Sequence, residues 1–158
     1  TAAIAVCSEL KININKQIKS LGTFQGVQKR MEYIGQINGT KIYDDFAHHP
    51  TAIKSSIEGI MSKYKNQKLL TILLPNSNSM NLGTHDSKLL SSLNKSRGVL
   101  VVTKSKRLKK LLANNIKISV IESKSQIGHY LQDNNEYDNI LILSNKSTKD
   151  IIKSIRNE

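Results

Sequence analysis

Two carboxylates and two imidazoles fall within the eleven residues Tyr43-Asp44-Asp45-Phe46-Ala47-His48-His49-Pro50-Thr51-Ala52-Ile53. Carboxylates accept hydrogen bonds from sugar hydroxyls, and imidazoles gain or lose a proton near neutral pH, so this window can bind and orient a polar substrate. Pro50 suits the first turn of a helix, where its missing N–H has no intrahelical partner. Ile53, Ile57, Ile60, Met61 and Tyr64 then recur at helical spacing and give one apolar face. The cluster is therefore expected at a helix N-terminus, where free N–H groups and the macrodipole favour anions such as phosphate. Read as loop chemistry alone, Asp45 serves equally as a helix cap, and the His48-His49 pair as an ordinary approach to proline.

A second constellation precedes it, Gly26-Val27-Gln28-Lys29-Arg30-Met31-Glu32. The spacing of Arg30 and Glu32 puts both on one face of a strand, because the strand period is two. A guanidinium there can grip phosphate oxygens bidentately while the carboxylate steadies it; the plainer alternative is a surface ion pair. Asn38-Gly39 predicts a two-residue hairpin turn between strands at 31–37 and 40–45. That hairpin would deliver Arg30 and Asp45 to one end of a sheet.

The elements that must position these groups follow from periodicity. The helix at 50–65 is followed by strands at 68–74, 98–103, 116–121 and 139–144, alternating with helices at 84–94, 105–113, 124–134 and 147–156. Continuous Leu/Ile/Val runs mark strands covered on both faces, and the alternation implies right-handed crossovers in a parallel sheet. The fold expected is Rossmann-like α/β: a mostly parallel sheet with an N-terminal β-hairpin and helices on both faces. Two short helices, 2–10 and 13–21, form a tail before it.

Ligands of such sheets gather outside the carboxyl ends of the strands. Those ends include Asp44-Asp45, the polar loop from Pro75 to His85, and Ser144-Asn145. Ser77, Asn78 and Ser79 are neutral hydrogen-bonding groups with His85 nearby. The basic run Lys104, Lys106, Arg107, Lys109 and Lys110 reads either as a landing strip for an anion or, the better reading, as a solvated helix face. Ser147 or Thr148 can cap the last helix.

Composition narrows the function classes. One domain is expected from 158 residues, and a net charge of +12 implies anionic partners. A basic nucleic-acid-binding module is one such reading, but aromatic residues at 4% argue against a base-stacking platform. With Cys7 the sole cysteine, an internal disulfide and a cysteine zinc cluster are excluded. No apolar run approaches the roughly 20 residues that span a bilayer, so a membrane is not the expected partner; with so few aromatic residues nucleic acid is not either, and the chain reads as cytoplasmic. It starts inside a helix-like segment without an initiator methionine, as an excised piece of a longer protein would.

The run Asp-Asp-Phe-Ala-His-His-Pro-Thr-Ala-Ile resembles the start of the C-terminal domain of the Mur ligases, and Gly26 to Glu32 is similar to that family's glycine turn followed by Arg-x-Glu. The loop words Pro-x-Ser-Asn-x-Met-x-Leu-Gly resemble the branch that attaches a recycled tripeptide, more than the alanine-adding branch. The basic residues usual in this loop are Asn76 and Asn81 here. Ser144-Asn145 resembles the family's last strand end, but the glycine-rich loop expected next is replaced by Lys146-Ser147-Thr148-Lys149.

This resemblance implies an ATP-dependent ligase of bacterial peptidoglycan recycling, joining L-alanyl-γ-D-glutamyl-meso-diaminopimelate to UDP-N-acetylmuramate through an acyl phosphate. It implies that residues 1–22 are a tail or linker of a central ATPase domain and 23–158 a lid. Arg30 and Asp45 would contact the nucleotide. His48, His49, Ser77, Asn78, Ser79, His85, Ser144 and Asn145 would bind or position substrate. ATP and Mg2+ would be held mainly by the central domain, whose Gly-Lys-Ser/Thr phosphate loop is missing from this sequence, so the fragment by itself would be inactive.

Overall fold

The computed structural model describes residues 2–24 and 26–156. Helices α1 (Ala2–Glu9) and α2 (Ile14–Gly22) open the chain, and neither contributes an apolar residue to a core; Gln17 is their one buried residue. Strands β1 (Glu32–Ile37) and β2 (Thr40–Asp45) form the antiparallel hairpin expected about Asn38-Gly39. Asn38 and Gly39 have φ of 48° and 87°, the left-handed pair that a tight hairpin turn demands.

Then follow α3 (Pro50–Lys63), β3 (Leu69–Leu73), α4 (Asn78–Leu82), α5 (Asp86–Leu93), β4 (Gly98–Val102), α6 (Lys106–Leu112), β5 (Ile118–Ile121), α7 (Ile127–Asp133), β6 (Asn139–Leu143) and α8 (Lys149–Arg156). A single 3-10 turn at Lys124–Gln126 leads into α7, with Ser123 and Gln126 forming a reciprocal capping box. The six strands run in the order β1-β2-β6-β3-β4-β5, with β2, β6, β3, β4 and β5 parallel and only β1 antiparallel. This is the Rossmann-like arrangement that the sequence predicts.

Burial explains the composition of the strands. The central β3 and β6 are buried at every position, which is why both read as mainly aliphatic runs, with Thr71 and Asn139 as their polar residues. On one face Tyr43, Leu69, Leu73, Val99, Val101 and Leu141 pack under α3, α5 and α6; on the other Ile42, Leu70, Ile72, Leu100, Ile140 and Ile142 pack under α7 and α8. One departure from expectation lies at 78–94. The helix expected at 84–94 is α5, but the loop expected before it holds a further short helix, α4, which Gly83 at φ 81° ends with a left-handed cap.

Candidate functional site

Strand period decides where the two adjacent carboxylates go. Asp44 and Asp45 end β2, are 3% and 5% exposed, and point to opposite faces of the sheet. Asp45 lies on the α3 side. Its Oδ1 accepts from the Ala47 N–H at 2.8 Å and from the Ser56 hydroxyl at 3.1 Å, and its Oδ2 accepts from the Met31 N–H at 2.7 Å. It is therefore not the cap of α3, whose N-cap is His49 without any side-chain bond. Three of about four acceptor positions on this carboxylate are filled, leaving one on Oδ2.

Asp44 lies on the α8 side. Both of its oxygens are 3.2 Å from the Lys29 ammonium, and Oδ2 accepts from the Thr148 hydroxyl at 2.5 Å. Lys29 Nζ also donates to the Lys146 carbonyl at 2.9 Å and lies 3.3 Å from Thr148 Oγ1. The Thr148 hydroxyl is thereby drawn to Asp44, away from capping α8.

The turn that carries Arg30 is held from every side. Lys29 and Met31 have φ of 54° and 51°, a left-handed backbone that costs a side-chain-bearing residue roughly 1–2 kcal/mol each. Against this, the Lys29 N–H donates to Glu32 Oε2 at 2.8 Å, the Phe46 N–H donates to the Lys29 carbonyl at 2.8 Å, and the Arg30 N–H donates to the Val27 carbonyl at 3.1 Å. Arg30 thus precedes β1 and does not share a strand face with Glu32, which holds backbone and not guanidinium. The expected Arg30–Glu32 pairing is corrected on this point: the two left-handed residues turn the chain before the strand starts. Among the described residues the Arg30 side chain makes no hydrogen bond or ion pair; its guanidinium carbon sits 5.7 Å from the Phe46 ring centroid. It is exposed at the same sheet end as Asp45, as the hairpin predicts.

From Phe46 a row of rings crosses to the next loop. Phe46 and His48 are 5.1 Å apart, His48 and His49 4.4 Å, and His49 and His85 5.0 Å between centroids. The ring nitrogens of His49 (Nδ1) and His85 (Nε2) are 3.1 Å apart, and His48 Nδ1 is 2.9 Å from the Phe46 carbonyl. Desolvation, with His48 and His85 beside it, lowers the pKa of His49 below its ordinary value. No three His, Cys, Asp or Glu side chains among the described residues form a group able to hold a metal ion.

In the loop after β3, Ser77 is buried and accepts from the Met80 N–H at 3.3 Å as the N-cap of α4, with Ser79 Oγ 3.3 Å away. Asn78 is exposed and Ser79 half-buried on the outer turn. Arg107 reaches over from α6 and donates to the Met80 carbonyl at 2.5 Å, the Asn81 carbonyl at 3.3 Å and the Asp86 carboxylate. Two members of the basic run are thus engaged within the protein, Arg107 here and Lys109 on Glu122. Ser144 is fully buried, its hydroxyl exchanging bonds with Lys146, and its N–H donates to the Asp45 carbonyl at 3.1 Å. Asn145 Oδ1 is buried without a partner.

The structure therefore gathers Arg30, Asp45, His48, His49, Ser77, Asn78, Ser79, His85, Ser144 and Asn145 along the carboxyl ends of β2, β6 and β3. Lys29, Asp44, Thr148 and Arg107 hold those groups in place, a supporting role that sequence reasoning did not give to any of them. No local signal gave the inward role of Lys29 or the bond from Thr148 to Asp44, because their partners lie 15 and 104 residues away.

A family model described as Mur ligase, glutamate ligase domain, matches residues 29–146. This chain belongs to that family. Among curated relatives, the Haemophilus influenzae UDP-N-acetylmuramate--L-alanyl-gamma-D-glutamyl-meso-2,6-diaminoheptandioate ligase is 33% identical over 101 residues, 63% of this chain and 22% of that protein. The Desulfitobacterium hafniense UDP-N-acetylmuramate--L-alanine ligase is 38% identical over 76 residues, 48% of this chain and 17% of that protein. The Mur ligase domain described here thus spans about a fifth of such relatives. The crystal structure of a murein peptide ligase from Psychrobacter arcticus superposes with a TM-score of 0.72 at 28% identity, covering 99% of this chain and 36% of that one. The matched segment contains Arg30, both aspartates, the histidine row and the loop after β3, so the whole candidate site lies inside the Mur ligase domain.

Proposed function

We propose that this chain is the closing domain of an ATP-dependent ligase that joins a murein tripeptide to UDP-N-acetylmuramate. The observation that carries the reading is the exposed guanidinium of Arg30, without a hydrogen bond or ion pair among the described residues, held at the carboxyl end of a parallel sheet while its neighbour Lys29 is consumed internally. A planar fork of donors in that position suits the oxygens of a nucleotide phosphate bidentately. The last acceptor position on Asp45 Oδ2 suits a ribose hydroxyl. When bound, ATP with Mg2+ supplies the phosphoryl group that activates the carboxylate of the sugar substrate; the neighbouring domain, to which residues 1–22 form the linker, holds both.

The domain's own part is positioning and electrostatics on closure. Arg30 offsets charge on the transferred group, while Asn78, Ser79 and His85 face the incoming amine and its peptide. His48 and His49 join the two halves, and Ser144-Asn145 closes the floor between them. The tripeptide is favoured over L-alanine by the neutral loop at 77–83 and by likeness to the Haemophilus tripeptide ligase over 63% of the chain. The Desulfitobacterium relative supports L-alanine as the second reading.

The test is steady-state kinetics of the complete ligase that contains this chain. Tripeptide is expected to give the higher kcat/KM; preference for L-alanine would transfer the assignment to the alanine-adding branch. Arg30→Ala is expected to cut kcat more than ATP affinity, since its contact strengthens as charge develops. Unchanged kcat and KM for ATP would remove Arg30 from the nucleotide.

A further inference from the structure

We propose that Lys29 is a positioning residue for Arg30, with Asp44 and Thr148 as its anchors; this rests on the nucleotide reading of Arg30. Two cations stand side by side in sequence, and the structure gives them different fates. The Lys29 ammonium has its shell filled by protein: both Asp44 oxygens, the Lys146 carbonyl and Thr148 Oγ1, all within 3.3 Å. The side chains of Lys29 and Asp44 are 24% and 4% exposed, and the ammonium is turned onto protein oxygens and so away from any substrate phosphate. The Arg30 guanidinium lies over the Phe46 ring and, among the described residues, makes no hydrogen bond or ion pair.

The geometry shows why the first cation must be anchored for the second to be aimed. Lys29 is left-handed at φ 54° and so is Met31 at φ 51°, an arrangement that side-chain-bearing residues hold only where the surroundings over-determine it. The Lys29 side chain ties this turn to β2 through Asp44, and to the segment before α8 through Lys146 and Thr148. Its carbonyl accepts from Phe46, the ring over which Arg30 lies. One ammonium thus joins three segments far apart in sequence and sets the direction in which Arg30 leaves the turn. It also fixes the segment that follows Ser144-Asn145, where the family's glycine-rich loop is replaced by Lys146-Ser147-Thr148-Lys149.

The proposal is tested in the complete ligase with Lys29→Met, Lys29→Met/Asp44→Asn, Arg30→Ala and Lys29→Met/Arg30→Ala. Lys29→Met keeps the length of the side chain and deletes its charge; adding Asp44→Asn removes the orphaned carboxylate, so that this pair is expected to melt close to wild type. A shift of about 1 Å in a positioning group can cost on the order of 100-fold, and both variants are expected to lose roughly 10 to 100-fold in kcat. On the Arg30→Ala background Lys29→Met should then cost little further, because its effect passes through the missing guanidinium. In the 158-residue chain itself, Lys29→Met/Asp44→Asn should speed amide exchange at Phe46 and Met31 while the core strands stay protected.

Return of wild-type kcat in the melted-equivalent double variant would overturn the proposal, reducing Lys29 to a stabilising ion pair. So would an undiminished Lys29→Met effect on the Arg30→Ala background, or unchanged exchange at Phe46 and Met31. Wild-type turnover by Arg30→Ala alone would instead sink the nucleotide reading of Arg30, and the proposal with it.

Discussion

The Nδ1 of His49 lies 3.1 Å from the Nε2 of His85, joining the N-terminus of α3 to the loop that separates α4 from α5. A bond between two ring nitrogens needs one of them deprotonated, since an imidazolium has donors only. His49 also stands at the positive end of the α3 dipole, which disfavours a second positive charge.

The pH dependence follows from this contact. The native pKa of the exposed His49 is lowered by partial desolvation and by the neighbouring His48 and His85, so below its ordinary value of 6.5 the unfolded chain binds the proton more readily than the folded one. The stability contributed by neutral His49 is therefore complete above pH 6.5 and is lost as pH falls through the lower native value. Ring-proton NMR titration is expected to show His49 titrating below free histidine, and His85→Ala to move it upward. A His49 titration at or above 6.5 would contradict the assignment.

Arg30 and Asp45 are expected to separate in their effects. Asp45→Ala strips acceptors from the Met31 and Ala47 amides and the Ser56 hydroxyl, and bonds to a charged acceptor are worth about 1.5–3 kcal/mol each. It should lower the melting temperature strongly as well as weaken ATP binding. Arg30→Ala, with no bond to lose inside the domain, should melt as wild type. Equal destabilisation of the two, read by thermal denaturation, would show that Arg30 is structural.

The loop after β3 should likewise divide. Ser77→Ala removes the α4 cap and is expected to cost about 1 kcal/mol. Asn78→Ala with Ser79→Ala should leave stability alone and raise KM for tripeptide more than for ATP. Gly83→Ala should disorder the whole loop, because φ 81° is strained for alanine and its Cβ would meet the Arg107 guanidinium at 3.0 Å. If Gly83→Ala leaves tripeptide KM untouched, the loop is not part of the substrate site.

The 158-residue chain is expected to fold alone, in one cooperative transition, because both core clusters are built from residues after Gly26 and need nothing from α1 or α2. It should neither hydrolyse ATP nor form an amide bond. Circular dichroism melting and a phosphate-release assay check both halves; turnover by the purified chain would defeat its assignment as a closing domain.

The local signals determined the elements. Mainly aliphatic runs, the Asn38-Gly39 turn and the Ile53/Ile57/Ile60 spacing depend on neighbours within one turn or one pleat, and β1 to β6 and α3 stand within a few residues of where those signals put them. The same patterns placed Arg30, Asp45 and the loop after β3 at one end of the sheet. What each group does there was settled only by contacts across 14 to 119 residues, such as Met31 to Asp45 and Lys29 to Thr148. Strand alternation sends Asp44 and Asp45 to opposite faces, but which of them meets a lysine and which a serine depends on the helices laid over those faces. Whether Lys29 or Arg30 faces outward was likewise beyond the sequence, because it turns on left-handed backbone at Lys29 and Met31, which neither residue prefers and only the surrounding hydrogen bonds can hold.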